Sequence, residues 1–82
     1  MSVYVGKLGS SSPRLIAERA LGAADDMAPT NRAKFVLYVG DHKRFHVMKC
    51  PKRPLKLEGW IATFTKASDV EWLEEQIAGE AE

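Results

Sequence analysis

Two runs rich in β-branched and aromatic residues, KFVLYVG (34–40) and RFHVMKC (44–50), stand either side of a short polar stretch. No other feature of the chain restricts its fold as tightly. Runs of this composition form strands, and a spacer this short makes them a hairpin. The register follows from the side chains. With a three-residue loop, Asp41-His42-Lys43, Val39 faces Phe45, Leu37 faces Val47 and Phe35 faces Lys49. Opposed residues share a sheet face, so Phe35, Leu37, Val39, Phe45 and Val47 make one apolar face. A slip of one residue would move Phe45 and Val47 to the other side. That other side carries Val36, Tyr38, Arg44, His46 and Met48, a mixed surface suited to partial contact with water.

The remaining elements follow from local signals. SVYVGK (2–7) alternates weakly and reads as a short strand. Ser12 before Pro13 starts a helix, because Ser caps free N–H groups and Pro needs none at the first helical position. Leu15, Ile16, Ala20, Leu21 and Ala24 then recur at helical spacing. Arg14 and Glu18 sit four apart, as an exposed helical pair does. Pro51 and Pro54 end the second hairpin strand, since Pro cannot donate to the ladder. WIATFTK (60–66) is a further strand, with Trp60, Ala62 and Phe64 assigned to one face and Trp60 to the core. SDVE (68–71) predicts a capping box, Ser68 at the cap and Glu71 three residues on. Val70, Leu73 and Ile77 form the buried stripe of this last helix, Gly79 is its expected end, and 79–82 is an expected frayed tail. The sum is one domain of the order β-α-β-β-β-α. This is an α+β fold: a small antiparallel sheet of three to four strands with two helices on one face.

Composition narrows the function. The 82 residues suffice for one small domain. An apolar content of 45% excludes disorder throughout. No apolar run approaches the ~18 residues of a membrane span, and MSVYVGKLGSSS lacks the pattern of a secretory signal. The lone Cys50 has no partner for an internal disulfide, so a reducing cytoplasm is the expected location. Nothing argues for an enzyme. His46 and Cys50 lie four apart on a strand, about 13 Å at ~3.3 Å per residue, beyond the reach of a nucleophile and its base. One Cys and two His fall short of a structural zinc set. GKLGSSSP places its Lys before the second Gly, unlike a phosphate-binding P-loop. Glu71 and Glu75 read as a solvated helical face. The expectation is a non-catalytic protein with no cofactor and no metal.

Charge is the feature left over. Residues 41–56 carry six Lys/Arg and one Asp, residues 67–82 carry six Asp/Glu and no Lys/Arg, and the whole chain is +1. The plain explanation is that the two segments attract each other, or that the lysines blunt the hairpin's edges. The functional explanation is a docking surface. Its candidate residues are Tyr38, Lys43, Arg44, His46, Lys49, Lys52, Arg53 and Lys56, with Trp72 added. Trp72 lies roughly 130–160° round its helix from the buried stripe. The leading expectation is a small protein-binding module, a regulator, inhibitor or accessory subunit. It would dock through the basic hairpin and loop on a protein or nucleoprotein with an acidic surface, and self-association into a homodimer is a variant of this. The alternative is nucleic-acid binding by the hairpin and the mixed sheet face, with phosphates on Lys and Arg and bases on Tyr38.

Overall fold

The computed structural model describes residues 2–30, 32–51 and 59–80. Its elements are β1 (Ser2–Lys7), α1 (Pro13–Met27), β2 (Lys34–Val39), a short turn at Asp41–Lys43, β3 (Arg44–Lys49), β4 (Trp60–Thr65) and α2 (Val70–Glu80). The expected β-α-β-β-β-α order holds, and the sheet has four antiparallel strands in the spatial order β1-β3-β2-β4.

The hairpin has the register its faces require. Phe35 pairs with Lys49, Leu37 with Val47 and Val39 with Phe45. The turn closes through Gly40 N–H donating to Arg44 C=O at 2.7 Å, and His42 and Lys43 both take positive φ to make it. Helix α1 starts where Ser12 and Pro13 direct it, with Leu15 N–H donating to Ser12 Oγ at 3.2 Å. Its inner face is built from Ile16, Ala17, Ala20 and Ala24, all fully buried. Three of these four are alanines, so the helix axis lies close to its neighbours. The core joins them to Leu73 and Ile77 of α2 and to Val5, Phe35, Leu37, Phe45, Val47, Ala62 and Phe64 of the sheet. Both helices therefore cover the same face.

Two bulges adjust the edges. In β1 the register against β3 shifts between Tyr4 and Gly6, which leaves Val5 as the extra residue, buried in the core. An added Cβ at Gly6 would sit 2.7 Å from Ile16 Cγ1, so the glycine allows α1 to approach β1 this closely. In β4 the register against β2 shifts between Leu37 and Tyr38, with Ile61 as the extra residue.

The β4 bulge corrects one expectation. Strict alternation put Trp60 on the core face with Ala62 and Phe64. The extra residue instead sets Trp60 opposite Tyr38 on the outer face, 40% exposed. The start of α2 corrects another. Ser68 is not the cap, because its Oγ accepts from Thr65 N–H at 3.1 Å and ties down the end of β4. Asp69 caps instead, its Oδ1 accepting from Glu71 N–H at 2.9 Å. Finally, α2 runs on through Gly79 to Glu80, so Gly79 does not end it.

Candidate nucleic-acid interface

The pairing register sets four aromatic rings in a row across the whole sheet. Tyr4 of β1 lies opposite His46 of β3, His46 opposite Tyr38 of β2, and Tyr38 opposite Trp60 of β4. All four project from the face that the helices leave uncovered. The ring centroids of Tyr4 and His46 are 5.6 Å apart, tilted by 55°. Those of His46 and Tyr38 are 5.5 Å apart and stacked within 21°. These are favourable aromatic geometries. Gly40 makes room for the row, since a Cβ there would lie 3.3 Å from His46 Cδ2. His46 is held between two tyrosines, while the outer members stay accessible, Tyr4 at 54% and Trp60 at 40% exposure.

Basic residues flank this row on both sides. Towards the hairpin turn, Lys7 stands opposite Arg44, with exposed Lys43 next along the chain. On the other side comes a row of Ser2, Met48, Val36 and Thr63. Val36 lies between its cross-strand partners there and is only 1% exposed. Beyond it Lys34 opposes Thr65. The four strands contain no Asp or Glu, while Lys7, Lys34, Arg44 and Lys49 are all strand residues.

Among the described residues the carboxylates lie off the strands, on the helices, at the start of α2 and at Asp41 of the turn, and some are occupied. Arg14 bridges Glu18 at 3.4 Å and Glu74 at 3.6 Å, and Lys66 meets Asp25 at 2.6 Å. Among the described residues no ion pair joins the hairpin's bases to α2. The attraction between basic and acidic segments therefore leaves Lys7, Lys34, Lys43 and Arg44 unneutralised in that set.

Of the residues singled out from sequence, Tyr38, Arg44 and His46 come together, with Lys43 beside them. Lys49 does not join them: it pairs with Phe35, which puts its Cβ on the helix side of the sheet. Lys52, Arg53 and Lys56 lie outside the described residues. The ends of that connection are fixed, however. Cys50 N–H donates to Lys34 C=O at one end of β2, and Val39 N–H donates to Gly59 C=O at the other. Trp72 is 39% exposed and stands apart, beside the outer edge of β4. Sequence reasoning missed Tyr4, Lys7, Lys34 and Trp60. Alternation of Tyr4 with Val3 and Val5 was the one available signal, and it needed the partner strand to become useful.

Among the described residues no three His, Cys, Asp or Glu side chains converge on a point that could hold a metal ion, and no helix is long and apolar enough to cross a membrane. Fold and surface together define a small α+β sheet domain with an aromatic, cationic outer face. No family model, curated protein or solved structure matches the chain.

Proposed function

We propose that this protein binds single-stranded nucleic acid on its outer sheet face, without turnover. The observation that carries the reading is the row Tyr4–His46–Tyr38–Trp60 set between Lys7/Arg44 and Lys34, on strands that hold no carboxylate. Aromatic rings offer every base a stacking partner, and flanking cations track the phosphates. A duplex hides the base faces, so this surface suits unpaired strands. The free Cys50 fits a reducing compartment such as the cytoplasm.

A second reading rests on Trp72. It is 39% exposed beside the outer edge of β4, and Trp is among the residue types most enriched at interface hot spots. An acidic partner protein is the occupant that this reading names.

Fluorescence anisotropy with labelled single-stranded RNA, single-stranded DNA and duplex DNA at two salt concentrations separates the two. Binding that prefers unpaired strands and weakens steeply with salt is the expected result. Tyr4→Ala and Trp60→Ala should each weaken it by about 1–3 kcal/mol, the worth of one stacked base. Absence of binding to any strand at low salt would sink the proposal and assign the face to an acidic protein.

A further inference from the structure

A second feature lies one step beyond the aromatic row. Lys34, Thr63, Phe64, Thr65, Ser68 and Trp72 line an open cleft of about 330 Å³ between α2 and the outer edge of β4. Thr63 and Lys34 belong to the outer face already described, so the cleft continues that face at its β4 corner. One wall is the half-exposed indole of Trp72. Among the described residues the polar lining is three hydroxyls and one ammonium group, with no carboxylate.

The geometry points to a nucleobase pocket: an unpaired base of the bound strand leaves the aromatic row, stacks on Trp72 and places its polar edge against Thr63, Ser68 and Lys34. This rests on the strand-binding reading and extends it from a general stacking surface to a subsite that distinguishes bases.

Three observations favour a base over other occupants. An extended peptide adding to the edge of β4 would need the outward backbone groups of Thr65. Both are already engaged, with Thr65 N–H donating to Ser68 Oγ at 3.1 Å and Ser68 N–H donating to Thr65 C=O at 2.8 Å. Among the described residues a lone phosphate would find a single cation, Lys34. A base edge, in contrast, finds donors and acceptors. Ser68 Oγ uses a lone pair on Thr65 and keeps its proton to donate. Thr63 Oγ1 is buried and has no hydrogen-bond partner in the described structure. An unsatisfied hydroxyl is destabilising, and Thr63 is one of the residues lining the cleft. Splayed bases are recognised in this way, by an aromatic face and hydrogen bonds to the base edge.

The test uses RNA homo-oligonucleotides of U, C and A, and an abasic strand of equal length. In a Trp60→Phe background Trp72 is the sole indole, so its emission reports on the cleft. The base-bearing strands are expected to quench it and the abasic strand to leave it unchanged. Trp72→Ala is expected to weaken binding of the base-bearing strands about tenfold and to leave the abasic strand's affinity as it was. Thr63→Val keeps the shape of the side chain and so guards against a folding artefact. It is expected to narrow the affinity differences among U, C and A. If Trp72 is not quenched, or Thr63→Val keeps the full base preference, while Tyr4→Ala still weakens binding, the pocket is refuted and the stacking face stands. If the unmodified protein binds none of the strands, both fall together.

Discussion

Gly59 is held by the strand beside it. Its φ is +79°, and a Cβ built on it would lie 2.2 Å from Val39 C=O, closer than any side chain tolerates. The same glycine accepts Val39 N–H through its own carbonyl at 2.9 Å, which fixes the entry into β4. Gly59→Ala must therefore move backbone against backbone. Strained φ alone costs about 1–3 kcal/mol, so thermal unfolding should shift down by roughly 10 °C for a domain of this size. Gly22 is the contrast. It sits inside α1 with open space where a Cβ would go. Gly22→Ala should raise stability by roughly 0.8–1.0 kcal/mol, and a melting curve of each variant checks both signs. Composition could not tell these glycines apart. One answers to helix propensity and the other to a carbonyl that arrives from a different strand.

Elements were the most legible level of the fold. The hairpin's register could be read because a one-residue slip would have split its apolar face. Helix α1 could be read because Ser12, Pro13 and the apolar spacing agree. Two things were hidden. The order β1-β3-β2-β4 leaves no local trace, so Tyr4 and Lys7 could not be assigned to the aromatic face. The extra residue in β4 breaks the period-two rule that had sent Trp60 inward. The start of α2 shows a related ambiguity: Ser68 and Asp69 both suit a cap, and the choice depends on whether the end of β4 needs the serine. At both helix starts the cap now has a named residue. Ser12→Ala and Asp69→Ala should each cost about 1 kcal/mol. Removing the Glu71 carboxylate should cost less, since no capping box depends on it. Urea titrations of the three variants separate these cases.

Among the described residues the strands carry cations and no acid, while the acids lie on the helices, at the start of α2 and in the hairpin turn. Binding and stability should therefore respond to different residues. Lys7→Glu with Arg44→Glu should abolish strand binding yet change stability by no more than ~0.5 kcal/mol per site, as surface substitutions without partners do. Phe35→Ala should do the reverse damage. Phe35 is fully buried against Phe64, ring centroids 5.8 Å apart, and its loss costs about 3–5 kcal/mol. That approaches the entire stability of a small domain, so circular dichroism should report an unfolded chain at ambient temperature. The strand order carries one more consequence, in time rather than in space. β1 comes before the other described elements in the chain, yet its neighbour in the sheet is β3, with α1 and β2 lying between them in sequence. Closing that long loop is entropically the slowest contact to win, whereas β2 and β3 meet across a tight turn. The strand that comes first among these four in sequence is then the last to dock. In stopped-flow experiments Leu37→Ala should slow folding, while Val3→Ala should leave folding unchanged and speed unfolding.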